Sequence, residues 1–215
     1  MRDLVSGLVL AAGTSSRLGK QPKQLLPWRG ATLVGWVIRQ AENSLLDEIL
    51  VVVGHEVEEV QRVVAVTRAK FVKAADFHEG CTASIRAGLE AVNSKTGAAM
   101  LILADQPEIK SETIDAVISG WRNIQKPVAR ASYRGVSGHP MLFARELFGQ
   151  LKALHGDKGV WKILEAHPEW LGEVELDEPF PGNINTWEDY SRLSSENVAT
   201  GERRTAHAGQ DHEEI

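Results

Sequence analysis

The apolar run Leu8-Val9-Leu10 opens directly into Ala11-Ala12-Gly13-Thr14-Ser15-Ser16-Arg17-Leu18-Gly19, followed by Pro22-Lys23-Gln24, Leu25-Leu26-Pro27 and Gly30. A short apolar run ending in small residues reads as a buried strand that delivers a tight Gly- and Ser-rich turn. Small side chains let backbone N–H groups approach a polyphosphate closely, and Arg17 and Lys23 supply cations to neutralise it. The turn is therefore a candidate triphosphate cradle. It matches neither of two familiar nucleotide loops. In a P-loop, Gly13 to Gly19 would be one residue too long, and Gln21 stands where the magnesium-binding hydroxyl belongs. In a dinucleotide fingerprint, Ser15 and Leu18 would replace the second and third glycines.

Strand and helix signals alternate after the cradle. Leu33, Val34, Val37, Ile38 and Ala41 recur at helical spacing, and Ile49–Val53 is a β-branched run closed by Gly54. Val57, Val60, Val63 and Val64 suggest a helix, Ala69 to Ala74 a strand, and Ile85, Leu89 and Val92 another helical face. Ala98 to Ala104 is apolar throughout, as in a parallel strand covered on both sides. Ser111 then stands where an N-cap would start a helix burying Ile114, Val117, Ile118 and Trp121. The alternation predicts an α/β fold, a three-layer sandwich around a mostly parallel, Rossmann-like sheet. The scattered Trp residues read as core or interface anchors.

With 215 residues and 43% hydrophobic content, one domain over residues 1–193 is expected. From about Ser194 the chain turns to charge, Ser, Thr, His and Gly, so 194–215 reads as a disordered tail. A net charge of −5 without a basic block argues against nucleic acid as a partner. A lone cysteine, Cys81, and the lack of a secretory or membrane-spanning apolar run make a cytoplasmic protein, without membrane attachment, the expectation.

In open sheets of this type ligands gather beyond the carboxyl ends of the strands. Both the Ala12–Gly19 turn and Asp105 leave such ends, which predicts that they are neighbours. Asp105, directly after a fully apolar strand, is a natural ligand for Mg²⁺, with phosphate oxygens and water completing the octahedron. An Asp in that place is also a common turn or cap residue.

The motifs occur in a specific order: L-A-A-G-x-S-x-R-L-G, P-K-Q-L-L-P, Gly80–Leu89, Leu101–Pro107, Gly138-His139-Pro140, Gly156-Asp157-Lys158-Gly159 and Asn183–Tyr190. Over roughly residues 5 to 193 this order resembles the molybdenum cofactor cytidylyltransferase family, nucleotidyltransferases with the fold of the nucleotide-diphospho-sugar transferases. The resemblance implies transfer of CMP from CTP to the terminal phosphate of the molybdenum-bearing molybdopterin, with release of pyrophosphate. It also implies Mg²⁺ as cofactor and transient contact with a molybdenum hydroxylase. Carried over to this chain, the nucleotide would be held by Leu10, Ala11, Ala12, Gly13, Ser15, Arg17 and Lys23, with Gly80 and Ser84 bordering the base. Arg17, Lys23 and Asp105 would carry the catalysis, and Asp105 and Asn185 the metal. Gly138, His139, Pro140, Asp157 and Lys158 fall on the acceptor side.

Plainer readings stand beside several of these. Ser84 could serve only the first turn of a helix, His139 a strand entry, and Gly156–Gly159 a helix-initiating turn. Cys81 is not required by in-line phosphoryl chemistry. Relatives commonly carry acidic residues where this chain has Asn183 and Asn185; an amide oxygen can bind Mg²⁺ but brings no charge. Thr186 followed by Asp189 also has the form of a capping box. The resemblance leaves three competitors. One is a cytidylyltransferase of isoprenoid precursor synthesis, disfavoured by Leu103–Pro107. The others are a nucleotide-binding accessory protein of hydroxylase maturation without chemistry, and an oxidoreductase on a borrowed fold, for which no dinucleotide fingerprint speaks.

Overall fold

The structure, a computed structural model, describes residues 3–13, 18, 22–54, 57–156 and 158–195. In chain order the strands are β1 (Leu4–Ala11), β2 (Pro27–Trp28), β3 (Ala31–Thr32), β4 (Glu48–Val53), β5 (Lys70–Lys73), β6 (Thr96–Leu103), β7 (Val128–Tyr133), β8 (Val136–Ala144) and β9 (Leu171–Leu176). The helices are α1 (Leu33–Glu42), α2 (Val57–Val63), α3 (Cys81–Ala91), α4 (Ser111–Ile124), α5 (Phe148–Lys152) and α6 (Gly159–Ala166), and residues 187–195 are also helical.

A seven-stranded sheet runs in the order β5-β4-β1-β6-β8-β7-β9. β8 is antiparallel to its neighbours β6 and β7, and the other pairings are parallel. The mostly parallel sandwich expected from the alternation is thus present. Its inner strands are buried on both faces because helices cover both, which is why β6 reads as a continuous apolar run. On one face Val9, Val51 and Ile102 pack with Val37 and Ile38 of α1 and Val117 and Ile118 of α4. On the other, Leu8, Leu50 and Leu101 meet Ile85 and Leu89 of α3, with Leu151 of α5 and Val160 of α6. Gly88 lets α3 lie flat on the sheet, since a Cβ there would come within 2.9 Å of Leu8 Cδ1.

A smaller cluster joins Leu18, Leu26, Trp28, Leu33, Ile184 and Leu193. It fastens the end of the described chain beneath the β2–β3 hairpin and so places the 183–185 segment beside the sheet's carboxyl edge. Thr186 and Asp189 form the expected capping box, with Asp189 N donating to Thr186 Oγ1 at 3.2 Å and Thr186 N to Asp189 Oδ2 at 2.9 Å.

The Ser111 cap and the start of the tail need correction. Ser111 is the first residue of α4 rather than its cap: Lys110 takes the capping conformation without a side-chain bond, and the Ser111 hydroxyl turns to Glu112. Of the Trp residues read as core or interface anchors, Trp28 lies in the core, and Trp161 and Trp187 are exposed. Residues 194 and 195 continue the helix, and the remainder of the expected tail lies outside the described residues.

Candidate functional site

Parallel pairing of β1 with β6 sets Leu10 opposite Leu103, and Ala104 N donates to Leu10 O at 3.2 Å. The two loops that leave these strands therefore emerge side by side, and Ala12-Gly13 meets Ala104-Asp105 despite their separation in sequence. Between them lies a cavity of about 320 Å³. Leu10, Ala11, Ala12, Gly13, Lys23 and Gln24 line one wall, Leu103, Ala104 and Asp105 the floor, and Phe77, His78, Gly80, Cys81 and Ser84 the opposite wall. Gly80 stands at φ +103°, a left-handed conformation that favours glycine, and passes the chain into α3. Ser84, at the end of the first turn of that helix, is buried against the cavity.

Gln24 was not among the residues singled out from sequence. Its buried amide donates to Ala11 O at 2.9 Å and Gly13 O at 2.7 Å and so pins the entry of the cradle. Each such hydrogen bond contributes about 0.5–1.5 kcal/mol net.

A cation centre closes the cavity's rim. Lys23 Nζ contacts Asp105 Oδ2 at 2.7 Å, Ile184 O at 3.2 Å and Asn185 Oδ1 at 3.4 Å, and both side chains of the ion pair are mostly buried. Ile184 N returns a bond to Asp105 O at 2.9 Å. Gln106 Nε2 donates to Asn183 Oδ1 at 2.6 Å, so the 105–106 and 183–185 segments are clamped together. One carboxylate, one amide oxygen and one carbonyl oxygen around a single cation make a hard-oxygen donor set of the kind Mg²⁺ or Mn²⁺ accepts. Among the described residues no cluster of three or more His, Cys, Asp or Glu side chains suited to a metal occurs, so phosphate and water would have to complete the coordination.

The acceptor-side segment lies where β7 and β8 lose register. Arg130 pairs with Met141 but Ala131 with Gly138, so His139 and Pro140 bulge from the ladder. Tyr133 Oη donates to His139 O at 2.5 Å. Burial of the His139 imidazole pushes its pKa down to about 4, helped by the Arg130 cation and opposed by Asp105, so the ring is neutral near pH 7. Gly138 is closed over by protein: a Cβ would meet Phe180 at 2.8 Å and Tyr133 at 3.2 Å. Pro140 is buried, and Lys158 is exposed at the entry to α6, away from the cavity lining. Ser15, Arg17 and Asp157 lie outside the described residues.

A mostly parallel sheet, a small-residue turn and an oxygen-lined cation centre at the strands' carboxyl ends together define a nucleotide-binding α/β protein. Residues 7–170 match the model of the MobA-like NTP transferase domain, and the chain belongs to that family. It is 30% identical over 204 residues to nicotine blue oxidoreductase of Paenarthrobacter nicotinovorans, an alignment covering 88% of this chain and 96% of that one. A crystal structure from Mycobacterium sp. strain JC1, of a homologue of Mycobacterium tuberculosis Rv0371c, superposes with a TM-score of 0.85 at 36% identity. It covers 93% of this chain and all of that one, 100%. Rv0371c itself, crystallised with manganese, superposes with a TM-score of 0.77 at 32% identity, over 91% of this chain and 100% of that one.

Proposed function

We propose that this chain transfers CMP from CTP to the terminal phosphate of molybdenum cofactor. The observation that carries the reading is the joining of the Ala12-Gly13 turn to the Lys23–Asp105–Asn185 centre at one cavity. Backbone of the turn and the cations Arg17 and Lys23 would hold the triphosphate, and Gly80 and Ser84 would border cytosine. A bound Mg²⁺ or Mn²⁺ held by Asp105 and Asn185 would supply positive charge to the phosphates. An oxygen of the acceptor phosphate forms a bond to the α-phosphorus, the bond from that phosphorus to the oxygen bridging to the β-phosphate breaks, and pyrophosphate leaves. The acceptor phosphate is already ionised near neutral pH, so no general base is needed. The chain's contribution is positioning and charge: the clamp of Gln106 on Asn183 and of Ile184 on Asp105 keeps the oxygen donors in place, and Lys23 moves from them to the phosphates. A cytoplasmic setting and brief contact with a molybdenum hydroxylase belong to the same reading.

The test is pyrophosphate release from each nucleoside triphosphate in the presence of Mg²⁺ and molybdenum cofactor. CTP should exceed GTP by at least roughly a hundredfold in kcat/KM, because a site fitted to one base edge leaves buried polar groups unpaired with another. Equal release from both would remove the base assignment, and release only with a sugar phosphate would remove the acceptor.

The name of the Paenarthrobacter relative favours a second reading, an oxidoreductase. Against it, the first turn lacks the G-x-G-x-x-G fingerprint. Consumption of NADH or NADPH, followed by absorbance, with no nucleotidyl transfer to any phosphorylated acceptor, would select it.

A further inference from the structure

The helix over residues 187–195 begins in a capping box that makes one bond more than helix initiation requires. In such a box the residue three positions beyond the cap reaches back to the backbone N–H of the cap itself. Asp189 does this, its Oδ2 accepting from Thr186 N at 2.9 Å. The same oxygen also accepts from Asn185 N at 3.0 Å, one residue before the cap. Oδ1, the other carboxylate oxygen, faces Arg192 Nη2 at 3.6 Å, which fixes the plane of the group. Starting the helix explains the bond to Thr186 and leaves the bond to Asn185 without a structural purpose of its own.

Asn185 is the residue whose side chain enters the cation centre, with Oδ1 3.4 Å from Lys23 Nζ. Its backbone is held from both directions. Ile184 N donates to Asp105 O at 2.9 Å, and the Ile184 side chain is fully buried with Leu18, Leu26, Trp28, Leu33 and Leu193. The successive N–H groups of Ile184, Asn185 and Thr186 are thus bound to Asp105 and Asp189, while Ile184 O and Asn185 Oδ1 turn to the ammonium that also meets Asp105 Oδ2. An amide oxygen brings no charge to a divalent cation, so its value as a ligand depends on where it is held.

We infer that Asp189 is a positioning residue for the divalent cation: its bond to Asn185 N holds the Asn185 amide oxygen in place without Asp189 touching the cation itself. This rests on Asp105 and Asn185 being the metal oxygens and adds the residue through which the C-terminal helix sets one of them. The action is that of a hydrogen bond at a fixed point. An amide in place of the carboxylate therefore suffices, whereas a carboxylate carried to a different position does not.

The measurement is Mn²⁺ binding to the nucleotide-free, full-length protein, followed by loss of the free-ion signal in electron paramagnetic resonance. Asp189→Ala should weaken Mn²⁺ by at least roughly tenfold, the scale for losing a partner that orients a metal ligand. Asp189→Asn keeps an oxygen for Asn185 N and should stay within roughly threefold of wild type. Asp189→Glu keeps both the charge and a preferred capping-box residue, so the helix is preserved, but the added methylene displaces the oxygen from Asn185 N and affinity should fall roughly fivefold or more. Asn185→Ala should lose affinity by itself, and Asp189→Ala combined with it should lose no more, because the one residue acts through the other. Wild-type affinity in Asp189→Ala, or in Asp189→Glu where Asp189→Ala does not fold, would overturn the positioning role. So would a further loss in the double variant, or a loss in Asp189→Asn as large as in Asp189→Ala, which would make charge the cause. Failure of wild type to bind Mn²⁺, or unchanged binding in Asn185→Ala, would instead strike the metal assignment beneath the inference.

Discussion

Replacing Lys23 by Met keeps the side chain's length and removes its charge, and it should move metal binding and turnover in opposite directions. In the structure the ammonium sits among Asp105 Oδ2, Ile184 O and Asn185 Oδ1, at 2.7, 3.2 and 3.4 Å. A divalent cation claiming the same oxygens must displace it. A hydrogen bond to a charged group contributes about 1.5–3 kcal/mol net, and each 1.4 kcal/mol or so is a factor of ten in affinity. Nucleotide-free Lys23→Met should therefore bind Mn²⁺ about 10- to 100-fold tighter than wild type, read by the loss of the free-ion signal in an electron paramagnetic resonance titration. Asp105 is left without its ammonium, so the variant should also melt lower and recover when Mn²⁺ is added. Transfer from CTP should fall at least roughly tenfold, because a cation that answers charge on the reacting phosphates is gone. Mn²⁺ affinity unchanged or weaker in Lys23→Met would refute the displacement and with it the identity of the metal oxygens.

Asn185→Asp adds a carboxylate to the same oxygen set and should tighten Mn²⁺ by about tenfold, whereas Asp105→Ala should abolish divalent-dependent transfer; full activity of Asp105→Ala at limiting Mg²⁺ would contradict the metal role. Gln24→Ala removes its two hydrogen bonds to the carbonyls of Ala11 and Gly13, and about 2 kcal/mol lost at this size corresponds to a melting temperature lower by about 4–8 °C, with CTP affinity reduced alongside. His139 is held neutral by burial, with its pKa near 4 in the folded protein against about 6.5 unfolded, so the unfolded chain takes up more protons between those values and stability falls as pH drops through that window. His139→Gln should remove roughly 1–3 kcal/mol of that acid loss, visible as a flatter dependence of melting temperature on pH between about 6.5 and 4; identical slopes would show that another group titrates.

Local pattern made much of this legible in the sequence. The apolar runs Leu8–Leu10, Ile49–Val53 and Ala98–Ala104 are strands because each is covered on both faces, and a continuous apolar run is what double coverage requires. The adjacency of Ala12-Gly13 and Asp105 followed from two strands ending at one edge. What stayed hidden depends on contacts across the fold. Gln24 reads as an ordinary polar residue until its amide is seen between two carbonyls, although its place in P-K-Q was a signal. The bulge at His139 gave none: it comes from a register shift between β7 and β8, and no periodicity records it. At Gly138, carried over to the acceptor side, the packing of Phe180 and Tyr133 leaves no room for a side chain, a contact that the sequence does not announce.

The reaction itself can be read from the fate of two labels. With CTP radiolabelled at the α-phosphate in one sample and at the γ-phosphate in another, both containing Mg²⁺ and molybdenum cofactor, the α-label should appear in the pterin product and the γ-label in pyrophosphate. Appearance of the γ-label on the acceptor, or as inorganic phosphate with the α-label retained in the nucleotide, would contradict attack at the α-phosphorus.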